Sequence, residues 1–88
     1  MTPKIVLSAQ FIHHFKTRIS QHKHLVEAYR SSFEAFKIDP FFVIDHALTG
    51  DMEGMRSFWI DNDYRVVYSV YENSIVFWDI GTHEQIYQ

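Results

Sequence analysis

The sequence predicts an α+β domain, with two helices packed on one face of an antiparallel sheet, and three observations predict it. A β-branched run occupies residues 4–7, apolar residues recur at helical spacing over residues 11–36, and the period switches to two after residue 55. Helices grouped ahead of consecutive strands belong on one side of the sheet those strands make. At 88 residues the chain is expected to form one domain, 1–88. Its eight Phe, five Tyr and two Trp supply the large buried areas that so small a core needs.

Each element has a local reason. Residues 4–7 (Lys4, Ile5, Val6, Leu7) form a first strand, and Ser8 is placed to cap a helix. Phe11, Ile12, Phe15 and Ile19 mark the buried stripe of that helix. The polar residues 20–23 break it, and a second stripe follows at Leu25, Val26, Tyr29, Phe33 and Phe36. Asp39 and Pro40 stop the second helix, because a proline disfavours helix in the residue before it. Residues 41–44 are a short apolar stretch, and residues 45–54 read as loop, with turns at Gly50 and Gly54. Three strands then follow as a meander: residues 55–60, 64–71 and 75–80, joined by turns at 61–63 and 72–73. Gly81 is expected to stop the last strand, and Thr82 with Gln85 has capping-box spacing for a terminal helical turn. The expected order is β-α-α-β-β-β plus that turn.

Charge is uneven along the chain. Six of the eight Lys and Arg lie in residues 1–37, whereas residues 38–88 hold Arg56 and Arg65 against nine acids, for a net charge of −3. An acidic balance opposes contact with RNA, whose affinity is dominated by phosphate neutralisation, although the basic N-terminal half can form a local patch. The chain has no Cys, so disulfides and thiolate metal sites are excluded. The N-terminus carries too short an apolar stretch for a signal peptide, and no stretch approaches membrane-spanning length. A soluble cytoplasmic protein with no membrane partner is the expectation.

Three runs then carry a resemblance: Gly54, Met55, Arg56, Ser57; Asp63 through Tyr68 (Asp, Tyr, Arg, Val, Val, Tyr); and Gly81, Thr82, His83, Glu84, Gln85, Ile86, Tyr87. In order and spacing they resemble the RelE/ParE toxin superfamily. The Gly-Thr-His ending, with Asp45, His46, Ala47, Leu48, Thr49 and Gly50 upstream, looks like its YafQ branch. The resemblance implies a RelE-like fold and a toxin of a type II toxin–antitoxin pair, a ribosome-dependent endoribonuclease that cuts mRNA in the A site without a metal or other cofactor. It also implies a cognate antitoxin, and operator DNA bound through that antitoxin. Catalytic groups then fall at His46, Asp63 and His83, with an aromatic at Tyr87. Two departures stand out: Trp59 replaces a family histidine, and Asp79 replaces a family arginine. Arg65 matches the arginine of the Tyr-Arg motif in the RelE branch and offers a cation from another strand.

Such cleavage deprotonates a 2′-hydroxyl, which attacks the adjacent phosphate and expels the 5′-oxygen. It needs a base, an acid and a cation over the developing charge. His83 is the first candidate for proton transfer and His46 the second, since imidazole titrates near working pH. Asp63 is placed to orient one of them, and Arg65 suits phosphate oxygens through its planar fork. Trp59 and Tyr87 are candidates for stacking on a base, a contact worth roughly 1–3 kcal/mol. Each has a plainer alternative. Arg65 has Asp61 or Asp63 to pair with at the strand entrance, Asp63 suits a turn, and Tyr87 suits packing of the last turn onto the sheet. His13 and His14 are adjacent on a helix and do not converge on one ion, His22 and His24 sit in a polar interhelical segment with no acid before Glu27, and all four read as solvated. Two other functions remain open: a ParE-like toxin that binds DNA gyrase, which requires no histidine pair, and a catalytically degenerate member kept for antitoxin and operator binding.

Overall fold

A computed structural model describes residues 4–38, 45–47 and 54–87. Strand β1 (Lys4–Leu7) leads into α1 (Ala9–His14), a π-helical segment (Phe15–Ile19) and α2 (Lys23–Ile38). Strands β2 (Asp45–Ala47), β3 (Arg56–Trp59), β4 (Tyr64–Val70) and β5 (Ser74–Thr82) follow, then a short α3 (His83–Ile86). The predicted proline stop, the apolar stretch 41–44 and the turn at Gly50 lie outside the described residues.

The α+β class stands, and the sheet is richer than the sequence suggests. Its order is β1-β5-β4-β3-β2. The meander β2-β3-β4-β5 is antiparallel, but β1 joins β5 in parallel, with Lys4 opposite Ser74 and Leu7 opposite Phe77. The chain crosses over through both helices before the meander begins, so the first strand reaches the last one running the same way. Part of the expected loop 45–54 is also strand: Asp45–Ala47 pairs with β3, His46 opposite Ser57. Three residues on a sheet edge are too few to show a period of two, which is why the pattern hides them.

Gly81 does not stop the last strand. It pairs with Arg65 inside β5, which runs on through Thr82. A Cβ at this glycine would lie 2.6 Å from Arg18 Nη1 and 2.8 Å from Gln85 Oε1. The glycine is there because two side chains cross its backbone closely.

One face of the sheet takes both helices. Phe11, Ile19, Leu25 and Phe36 bury against Phe58, Val66, Tyr68, Ile75, Phe77 and Ile80. Phe77 is the hub: its ring meets Phe11 at 5.6 Å, Phe33 at 5.9 Å, Phe36 at 5.6 Å and Phe58 at 5.8 Å between centroids. Phe36 stacks on Phe58 at 4.8 Å. Such pairs add about 0.5–1.5 kcal/mol each beyond their buried area. Tyr29 leans on this cluster, and burial pushes its phenol up to about 12.

The caps hold as the sequence indicates. Ser8 Oγ accepts from Phe11 N at 3.0 Å to start α1. The π-helical segment closes with Ser20 N donating to Phe15 O at 2.9 Å, and Ile19 within it is fully buried. Among the described residues no helix is long and apolar enough to cross a membrane.

Candidate active site

A β-bulge decides which side chains reach the other face of the sheet. Tyr68 pairs with Phe77 but Val67 pairs with Asp79, so Trp78 is an extra residue on β5. Before the bulge Ile75 and Phe77 point to the helices. After it the parity flips, so that Ile80 joins the core while Asp79 and Gly81 join the opposite face. Cross-strand partners share a face. One row on this face therefore runs from the register position of His46 through Ser57 and Val67 to Asp79, and the next runs Trp59, Arg65, Gly81. Ser57 and Val67 floor it and are buried.

Past the end of β1, the edge of β5 is closed by α1 and the π-helical segment rather than by another strand. Ser8 Oγ and Gln10 Nε2 both donate to Trp78 O, at 3.0 and 3.1 Å, and Arg18 Nη1 donates to Ile80 O at 3.0 Å. Asp79 is 8% exposed. Its Oδ1 meets His14 Nδ1 at 2.6 Å, Ile80 N at 2.8 Å and Arg18 Nη1 at 3.4 Å. A carboxylate this buried requires such partners.

The sequence candidates converge at the end of the sheet. Asp63, Arg65 and His83 line one cavity of about 220 Å³ with Asn62, Thr82 and Glu84. The capping box places His83: Gln85 N donates to Thr82 Oγ1 at 3.2 Å, and Thr82 N donates to Gln85 Oε1 at 2.9 Å, which starts α3 at His83. The turn is held by Asp61, whose Oδ1 accepts from Asp63 N and Tyr64 N, both at 2.8 Å. Asp63 is thus not the residue that ties the turn, and its exposed side chain faces the cavity.

Arg65 pairs with neither Asp61 nor Asp63 among the described residues. Its guanidinium carbon sits 3.9 Å from the centre of the Trp59 ring, a cation–π contact across β3 and β4. Its Nε is buried without a hydrogen-bond partner among the described residues. An unpaired buried donor costs about 1–3 kcal/mol.

Trp59 itself lines an adjoining cavity of about 400 Å³ with Ile60, Asp61 and Asn62. Tyr87 is exposed and its ring lies 4.5 Å from that of His83. His46 is brought to the same face by register with Ser57; its side chain lies outside the description. Among the described residues no three or more of His, Cys, Asp or Glu are grouped to hold a metal ion.

The solvated-face reading of His14 is corrected. The ring is half-buried and bonded to Asp79, 65 residues away. His14 and Arg18 are four apart and so share one helix face, but nothing in that spacing names a partner so distant along the chain.

The fold is that of small bacterial toxins. At 21% identity and a TM-score of 0.76, the chain resembles the crystal structure of YafQ from E. coli strain BL21(DE3), covering 98% of this chain and 99% of that one. It is equally similar to the E. coli DinJ–YafQ complex structure (21% identity, TM-score 0.77, 98% and 99% covered). The solution structure of HP0894 from Helicobacter pylori matches at 25% identity and a TM-score of 0.74, covering 97% and 99%. No curated protein sequence matches the chain significantly. The family of bacterial toxins of type II toxin–antitoxin systems, YafQ, matches residues 3–88, and the chain belongs to it.

Proposed function

We propose that this toxin is a ribosome-dependent mRNA endonuclease whose site lies at the α3 end of the sheet. The observation that carries this reading is Arg65: its guanidinium carbon sits 3.9 Å from the centre of the Trp59 ring, and the residue lines a cavity together with His83 and Asp63. A guanidinium matches phosphate oxygens through its planar fork, and one held in advance against a ring stabilises the phosphorane without reorganisation. His83 transfers a proton, with a second histidine to complete the pair. The family pattern gives His46 for that role. Asp63 orients the imidazole or tunes it, and Trp59 and Tyr87 offer ring faces to unstacked bases.

The chain acts as one domain over residues 1–88, in the cytoplasm where ribosomes carry the message. A cognate antitoxin neutralises it, as the DinJ–YafQ complex exemplifies for a relative, and operator DNA is engaged through that antitoxin. The Asp79 and Trp59 departures from the family pattern and the acidic balance of residues 38–88 favour a catalytically degenerate member. Expression in cells separates the readings. Growth arrest with mRNA cuts placed by codon, both lost on His83→Ala, supports the endonuclease. Arrest that persists in the variant without cuts points to a binding toxin, and harmless wild-type expression to the degenerate member.

A further inference from the structure

A second cavity on the same face, about 490 Å³, is lined by Gln10, His14, Arg18 and Asp79 on its polar side and by Met55, Val67, Trp78 and Ile86 on its apolar side, with Gln85 beside them. It shares α3 with the first cavity, Gln85 and Ile86 facing one and His83 and Glu84 the other. Val67 pairs with Asp79 and Arg65 with Gly81, so Arg65 and Asp79 are diagonal neighbours on one face. Such positions lie roughly 7–8 Å apart. Asp79, which anchors His14, is therefore one diagonal step from Arg65 in the sheet.

The cluster has the form of an oriented base. Asp79 Oδ1 is fixed by Ile80 N and Arg18 and holds His14 Nδ1 at 2.6 Å. Among the described residues, Nε2 of His14 makes no hydrogen bond. A carboxylate on one ring nitrogen sets the tautomer and leaves the other nitrogen as proton acceptor. The groups facing this imidazole are Asp79 from β5, Arg18 one turn on, and the His13 ring at 5.6 Å between centroids; Gln10 and Gln85 add uncharged polar atoms to the cavity.

We propose that His14, in place of the His46 of the family pattern, is the second proton-transfer residue of the site, with Asp79 and Arg18 as its positioning residues. This rests on the endonuclease reading. His14 Nε2 takes the 2′-hydroxyl proton as the 2′-oxygen bonds to phosphorus. The bond from phosphorus to the 5′-oxygen breaks, and that oxygen receives its proton from His83. The products are a 2′,3′-cyclic phosphate and a 5′-hydroxyl, with no co-reactant consumed. Asp79 then has a stated use: it anchors an imidazole brought in from α1, at the place where the family carries an arginine.

The alternative is a tether that merely pins α1 to β5, and His14→Asn separates the two. An Asn amide reproduces the donor at Nδ1 but does not titrate. The purified variants and wild type are compared on ribosomes holding a defined message, in single-turnover cleavage from pH 5 to 9, with thermal unfolding alongside. His14→Asn is expected to cut at least about 100-fold more slowly, within the range for loss of one acid–base group. Its unfolding midpoint stays near wild type, and the acid limb of the pH–rate profile disappears. His14→Ala regains cleavage in added imidazole, which no tether explains, and the exposed neighbour variant His13→Asn cuts as wild type. A His14→Asn rate equal to wild type overturns this proposal alone. So does a loss that tracks a fallen unfolding midpoint, with no imidazole rescue of His14→Ala. A wild type that leaves ribosome-bound message intact overturns the endonuclease reading and this proposal together.

Discussion

The two faces of this sheet are built on opposite principles. The helix-covered face is closed by rings: Phe11, Phe33, Phe36, Phe58 and Phe77 meet one another or Phe15 and Tyr29, so each is held by several neighbours. The other face carries polar side chains held by single specific contacts: Arg65 by the ring of Trp59, His14 by Asp79, Trp78 Nε1 by Ser69 Oγ at 2.9 Å. One inserted residue, Trp78, flips the parity of β5, so that Asp79 and Gly81 fall on the second face while Ile80 stays in the core. A core tolerates few changes because it is densely shared. A reactive face is poor in redundancy because each group must keep an edge open to substrate.

Breaking the first face gives the largest effect. Phe77→Ala is expected to cost about 3–5 kcal/mol of stability in urea unfolding, as for other buried aromatics, and any loss of cleavage should follow the loss of fold. A Phe77→Ala protein as stable as wild type would contradict the hub role of this ring.

The second face should behave in the reverse way. Trp59→Ala removes the ring beneath Arg65, a contact worth about 0.5–2 kcal/mol. It should therefore change urea stability modestly and mRNA cleavage substantially, by about tenfold or more. Trp59→Phe, which keeps a ring face, should recover part of the activity. Equal losses of stability and activity in Trp59→Ala would make the pair a structural contact.

The same division explains what the sequence could reveal. The helical stripe from Phe11 to Phe36 and the alternation from residue 56 onward are local patterns that report burial directly, and the core follows them. Caps at Ser8 and Thr82 are equally local, resting on side chains three residues from their partners. The parallel seat of β1 on β5, the three-residue β2 and the bulge at Trp78 are not local. They arise from pairing across the sheet. Asp63, Arg65 and His83 line one cavity because the Arg65–Gly81 register brings the start of β4 beside the end of β5. The joining of His14 to Asp79 depends on α1 replacing a strand along the free edge of β5, and no periodicity encodes that. In the sequence Asp79 shows only as a missing arginine; the fold gives it His14 as a partner.

The most direct test of the central claim is the chemistry of the RNA ends made by the purified toxin on ribosomes carrying a defined message. The account predicts upstream fragments ending in a 2′,3′-cyclic phosphate, downstream fragments starting with a 5′-hydroxyl, and loss of both with Arg65→Ala at nearly unchanged stability. Fragments starting with a 5′-phosphate, or full cleavage by Arg65→Ala, would contradict it.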